Sequence, residues 1–195
     1  MGKDKLLLPF GHSSLLAHVT TLMKSLFHEV IVVTREPDKH RDLPAKVVAD
    51  SPTSQHRCAL VGIHTGLEAA STPRAFVVGG DMPFVNRRFV RHLVDQSSAA
   101  WLTIPRYGGF LEPLCAVYDV RCAVPILRQL DQGEYKVDQL LAKVSVREIS
   151  ESIIKMYDPD LLSFFNVNTA EEYAAALKLL EGMDTDMLSS QQRIH

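Results

Sequence analysis

Phe76-Val-Val-Gly-Gly-Asp-Met-Pro-Phe84 is the stretch whose reading decides the fold. An apolar, β-branched run leads straight into two glycines, an aspartate and a proline. A short apolar run closed by turn residues predicts a buried strand, here Ala75–Val78, of a mostly parallel sheet. In open α/β sheets ligands gather at the carboxyl ends of the strands, which is where Asp81 falls. Gly79 and Gly80 let backbone and ligand approach closely, and Pro83 stiffens the turn. A carboxylate there can hold Mg²⁺, which takes one or two carboxylates and fills its shell with phosphate oxygens and water. The alternative role for Asp81 is a cap on the helix that begins near Val85.

The same alternation extends on both sides of this segment. Leu15, Leu16, Val19, Leu22, Met23, Leu26 and Phe27 recur at helical spacing behind Ser13 and Ser14, either of which can cap the helix. Val30–Val33 and Lys46–Ala49 read as strands, the first of them buried, and residues 60–70 as a helix. Residues 85–97 form a further helix pattern and Trp101–Ile104 a further strand. Helices alternating with apolar strands predict a Rossmann-like open α/β sheet, mostly parallel, with helices on both faces. Beyond Pro105 the pattern changes. Gly108-Gly109 makes a turn, Pro113–Tyr118 a strand, and residues 120–130 a helix broken early by Pro125. Lys136–Leu141 reads as a short helix and Val144–Ile149 as a strand, but the overall path of residues 131–163 is not legible. Thr169 and Glu172 stand at capping-box spacing before a strong terminal helix. The polar stretch after Gly182 predicts a frayed end.

At 195 residues the chain suits one domain with a sizeable core. Its composition, 46% hydrophobic and 23% charged, is that of a soluble globular protein, and a net charge of −2 argues against a nucleic-acid binder. No apolar run approaches the roughly 18 residues of a membrane span. Pro9, Gly11 and His12 cut the first apolar stretch too short for a secretory signal. Cys58, Cys115 and Cys122 form no C-x-x-C pair, which fits a reducing cytoplasm. The histidines show no metal-ligand spacing, and neither a Walker loop nor a nucleophile elbow is present. Asp50, after a strand and before Ser51-Pro52, could accept hydrogen bonds from a guanine edge or simply form a turn. Lys5 could neutralise phosphate as a point cation or be a solvated terminal residue. Arg106 could contact a phosphate or sit exposed in its turn.

Five segments in order resemble one family, the molybdenum cofactor guanylyltransferases. Met1-Gly-Lys-Asp-Lys-Leu-Leu-Leu-Pro-Phe-Gly11 is similar to its M-G-x-D-K-x-L-L-x-x-G stretch, and Leu60-Val-Gly-Ile63 to the end of its G-P-L-A-G-I helix start. Gly80-Asp-Met-Pro-Phe84 is similar to C-D-M-P-F. Glu112-Pro-Leu-Cys-Ala-Val-Tyr118 is similar to Q-P-L-x-A-x-Y, and Phe164-Phe-Asn-Val-Asn-Thr-Ala-Glu171 to F-x-N-x-N-T-P-E. The resemblance implies a nucleotide-diphospho-sugar transferase-like fold and an enzyme that joins GMP from GTP to molybdopterin, releasing pyrophosphate. By position it implies that Lys5 binds the GTP phosphates, Asp50 contacts guanine or ribose, and Asp81 holds Mg²⁺. Asn166 and Asn168 would shape the molybdopterin side. It further implies a cytoplasmic protein whose partners include molybdoenzyme maturation proteins, with no nucleic acid or membrane. The family's first strand and its L-A-G-G-x-S-x-R loop precede the first matched residue. The expectation is therefore one domain over residues 1–182 without that strand and loop, and a flexible tail over 183–195. A CTP-using enzyme acting on the same pterin, a related nucleotidyltransferase, and a non-catalytic pterin- or partner-binding chain are the alternative readings.

Overall fold

The strand and helix patterns condense into an α/β architecture in a computed structural model that describes residues 5–50 and 58–191, with side chains through residue 183. Two short strands, β1 (Pro9–Phe10) and β2 (Ser13–Ser14), pair antiparallel around Gly11, whose φ of +58° suits glycine. Helix α1 (Leu15–Lys24) follows at once, its first turn capped by the Ser14 hydroxyl, which accepts from the Ala17 N–H at 3.3 Å. The chain then alternates through β3 (Ile31–Thr34), β4 (Lys46–Ala49), α2 (Ala59–Ala69), β5 (Arg74–Val78), α3 (Arg87–Gln96) and β6 (Leu102–Tyr107). It continues through β7 (Phe110–Leu111), β8 (Cys115–Asp119), α4 (Ala123–Asp131), α5 (Val137–Leu141), β9 (Val146–Ile149), α6 (Glu151–Tyr157) and α7 (Ala170–Gln191). Pro125 sits in the first turn of α4, where its missing N–H would have had no helical partner, so it does not break the helix.

The main sheet is mixed. β8 lies between β5 and β6 and runs antiparallel to both, β9 runs parallel to β6, and β7 pairs antiparallel with the end of β6. Side chains of β8 alternate between two cores. Cys115 and Val117 face a cluster with Val19, Met23, Phe89, Leu93 and Ile154, from α1, α3 and α6. Ala116 and Tyr118 face Leu60, Ile63, Ile126 and Leu140, from α2, α4 and α5. Helices therefore cover both faces. A third cluster (Phe10, Leu15, Phe84, Val167 and Ala176) fastens α7 to the entry segment, and the Tyr173 hydroxyl donates to the Pro9 carbonyl.

Strands β3 and β4 form a separate parallel pair. Among the described residues β3 pairs only with β4, and β5 only with β8, although α2 packs against β3, β4 and β5. On the other face Phe27, just before β3, stacks on Phe76 of β5 with ring centroids 6.0 Å apart. This interruption corrects one expectation. The runs Val30–Val33 and Ala75–Val78 were predicted to be buried, yet every residue of β5 is half-buried and only Val32 of β3 is buried, whereas all of β8 is buried. The apolar pattern is that of interior strands, but each has a described neighbour on one side only. Helix α7 runs on to Gln191, into the stretch whose polarity predicts fraying.

Candidate active site

Chain direction places the loop after β5 at the carboxyl end of that strand, and the glycines shape it. A Cβ on Gly79 would stand 2.7 Å from the Asp81 Oδ1 and 3.1 Å from the Met82 sulfur. One on Gly80 would meet Leu16 at 3.0 Å and Leu6 at 3.4 Å. Both positions therefore need glycine for close approach. The Met82 N–H donates to the Gly79 carbonyl at 3.2 Å, and Met82, Phe84 and Val85 are buried, which anchors the loop. The Asp81 carboxylate stays 20% exposed.

Asp81 does not cap α3. That role belongs to Asn86, whose side-chain oxygen accepts from the N–H groups of Arg88 and Phe89 at 2.9 and 3.3 Å. The Asp81 Oδ2 instead accepts from the Lys5 ammonium at 2.6 Å, and the same ammonium donates to the Asn168 side-chain oxygen at 2.7 Å. The Asp81 carbonyl accepts from the Val167 N–H at 2.9 Å, which joins the β5 loop to the segment entering α7. Three of the five residues to which the resemblance gives a role thus meet at one point. Lys5 is not a freely solvated terminal residue; it bridges an acid and an amide contributed from distant parts of the chain.

Asn166, the fourth, lies beside them. It lines a cleft of about 390 Å³ together with Asn168, Tyr107, Phe164, Phe165 and Glu172. Its amide donates to the Phe164 carbonyl at 3.3 Å, and Phe164 stacks on Tyr107 with centroids 4.8 Å apart. Asp160, Leu161 and Leu162 of the cleft wall come from the end of residues 131–163, whose path the sequence left open. Leu161 carries a φ of +57°, and the buried Asp158 accepts from the Ser163 N–H at 2.8 Å to close that loop.

Asp50, the fifth, stands apart. It follows β4, its N–H donates to the Thr34 carbonyl at 2.7 Å, and its carboxylate lies 3.9 Å from Arg35 and 3.5 Å from the Thr65 hydroxyl. It occupies the carboxyl end of the β3–β4 pair.

Arg106 is not available to a phosphate in this arrangement. It makes two parallel bonds to Glu148, at 2.8 and 2.9 Å, and a third to the Gly109 carbonyl at 2.9 Å. These bonds hold the Glu148 carboxyl below its ordinary range. Two acids that the sequence reading did not single out as site residues also matter here. Glu172 receives the N–H groups of Asn168 and Thr169 at 2.7 and 2.9 Å, which together with Lys5 nearby hold its carboxyl below the usual value. Its capping-box spacing was the signal that could have found it. Glu112, at the entry to β8, is half-buried, and desolvation pushes its carboxyl upward.

Chemically, the cluster offers a cation and an anion side by side beside a cleft with aromatic walls and amide groups. Such a pair can separate when a polyanion and a divalent cation arrive together, the ammonium turning to phosphate and the carboxylate to metal. Among the described residues no three His, Cys, Asp or Glu side chains gather into a protein-only metal cage.

Residues 1–148 match the family model described as the MobA-like NTP transferase domain. A protein of Natranaerobius thermophilus named "Probable molybdenum cofactor guanylyltransferase" is 33% identical over 92% of this chain and 90% of its own length. The molybdenum cofactor guanylyltransferase of Desulfosudis oleivorans is 33% identical over 84% of this chain and 80% of its own. Among solved structures, the molybdopterin-guanine dinucleotide biosynthesis protein A of Archaeoglobus fulgidus superposes with a TM-score of 0.77 at 26% identity, covering 93% of this chain and 92% of that one. A match covering three quarters of the chain and these two relatives over most of their length lead to one conclusion: this chain belongs to the MobA-like NTP transferase family.

Proposed function

We propose that the protein is a molybdenum cofactor guanylyltransferase, which transfers GMP from GTP to molybdopterin and releases pyrophosphate. The observation that carries this reading is the junction of Lys5, Asp81 and Asn168 at the carboxyl end of β5, beside a cleft large enough for part of a second substrate. The names of the relatives favour GTP over CTP.

The reaction is an in-line displacement. An oxygen of the molybdopterin phosphate attacks the α-phosphorus of GTP, the bond from that phosphorus to the bridging oxygen of the β-phosphate breaks, and the electron pair leaves with pyrophosphate. The nucleophile is already an anion, so no strong general base and no covalent enzyme intermediate is required. The work of the protein is positioning and charge stabilisation. Lys5 turns from Asp81 to the phosphates and offsets the charge that collects on the leaving pyrophosphate. Asp81 would hold Mg²⁺, a role its chemistry fits: a part-exposed carboxylate at a strand end, with Oδ1 over a glycine that leaves it room. The ion, when bound, neutralises triphosphate charge. Asn166 and Asn168 orient molybdopterin in the cleft walled by Tyr107 and Phe164. Asp50 accepts hydrogen bonds from guanine or ribose at the neighbouring strand end. Residues 1–182 act as one nucleotidyltransferase domain.

The test is transfer of label from α-³²P-GTP, and separately from α-³²P-CTP, to molybdopterin in the presence of Mg²⁺. Labelled pterin dinucleotide from GTP, with little or none from CTP, is the expected result. Preferential labelling from CTP would replace the assignment with the cytidylyl one.

A further inference from the structure

Asn168 links the Lys5–Asp81 pair to helix α7, so whatever fixes Asn168 also fixes the pair. Its side chain is occupied by Lys5; its backbone is held by Glu172. Helix α7 begins at Ala170, which makes Thr169 the capping residue and Glu172 the third helical residue. In a capping box the acid returns to the N–H of the capping residue, and the Glu172–Thr169 bond of 2.9 Å does this. The reciprocal bond, from the Glu172 N–H to the Thr169 hydroxyl, is 3.1 Å. These two bonds complete the cap. The third, from the Asn168 N–H to the same Glu172 oxygen at 2.7 Å, is the shortest of the set and lies outside the box. It grips the residue that touches Lys5. Glu172 also lines the cleft with Asn166 and Asn168.

We propose that Glu172 is a positioning residue: by gripping the Asn168 peptide it holds the Asn168 side chain where it steers the Lys5 ammonium onto Asp81. The consequence for catalysis rests on the guanylyl-transfer reading above; the positioning itself does not. A single oxygen of Glu172 accepts from both N–H groups, and the positive end of α7 favours its charge. The Thr169 hydroxyl accepts from the Glu172 N–H inside the helix, whereas the Glu172 carboxylate also holds the Asn168 N–H, so capping and positioning can be separated by mutation.

The experiment compares Glu172→Ala, Glu172→Gln and Thr169→Ala in the full chain by three readouts: thermal midpoint, the rate at which the Lys5 amine is acetylated in the ligand-free protein (read by peptide mass), and the kcat and KM of GMP transfer. Glu172→Ala and Thr169→Ala should lower the midpoint similarly, because each breaks the capping box. Glu172→Ala alone should raise the Lys5 acetylation rate several-fold and lower kcat about tenfold, as loss of a supporting hydrogen bond does at other sites. Glu172→Gln should restore most of both, since its amide oxygen still accepts from the two N–H groups. Equal Lys5 acetylation in Glu172→Ala and Thr169→Ala would overturn the proposal and leave Glu172 a helix cap. A wild-type protein that transfers no GMP would instead overturn the functional reading, and the acetylation contrast would still decide the positioning.

Discussion

Asp81 and Lys5 lie 76 positions apart and meet at 2.6 Å. What brings the carboxylate into that place is the absence of a side chain at Gly79. Gly79→Ala would set a methyl 2.7 Å from the Asp81 Oδ1, so the carboxylate must turn away from Lys5. We expect GMP transfer to fall by up to about 10²-fold, the cost of misplacing a reacting group by around 1 Å. Steady-state kinetics on the folded variant checks this. Glu112 offers a test of a different kind. Its carboxyl is pushed up from 4.5 by burial, so the folded state disfavours the charged form. For an acid with a raised folded pKa, the penalty is absent below the unfolded value, grows as pH climbs through the interval, and is then constant. Glu112→Gln should therefore raise the midpoint of urea unfolding at pH 7, and the gain should vanish at pH 4. The sequence made Asp81 legible by its glycine context but left its role divided between ligand and cap. The cap went to Asn86 because its side chain reaches two N–H groups at the start of α3, and Asp81 lies before that turn.

At the scale of elements, long periodic helices and apolar strands were readable because their patterns follow burial directly. The boundaries of α1, α2 and α3 differ from the predicted ones by up to three residues, as fraying ends allow. Helix α6 and the loop that follows it were not readable. α6 has seven residues, too few to show a period, and the loop is shaped by the positive φ of Leu161 and a buried aspartate, which no sequence pattern announces. Asn86→Ala should cost about 1 kcal/mol of stability, the usual loss for an N-cap. It should leave GMP transfer unchanged at temperatures well below unfolding. Chemical denaturation and kinetics on the same sample separate this variant from Gly79→Ala, which should lower transfer.

Across the described residues the main consequence is the divided sheet. A parallel pair of four-residue strands is marginal by itself, so β3 and β4 depend on α2 for their place. β8 and β6 have neighbours on both sides and carry the fully buried side chains Tyr118, Leu102 and Ile104. Native-state hydrogen exchange should therefore show β3 and β4 opening first and β6 and β8 last. Equal protection of Val33 and Val117 would contradict this picture. The local patterns of β3 and β5 are strand-like, and both segments form strands. Their degree of burial was not legible, because it depends on a neighbour that neither strand's own residues specify. Asp50 stands at the end of β4, in the same divided part of the sheet.

The most direct test of the central claim is Asp81→Asn, which keeps the shape of the side chain and removes its charge. With wild-type circular dichroism and thermal midpoint confirming the fold, α-³²P-GTP, molybdopterin and Mg²⁺ should yield labelled product at a rate lower by on the order of 10²–10³-fold, the scale set by losing one electrostatic group from a transfer site. Transfer at the wild-type rate would contradict the account, since Asp81 could then be neither the carboxylate that holds the metal nor the centre of the site.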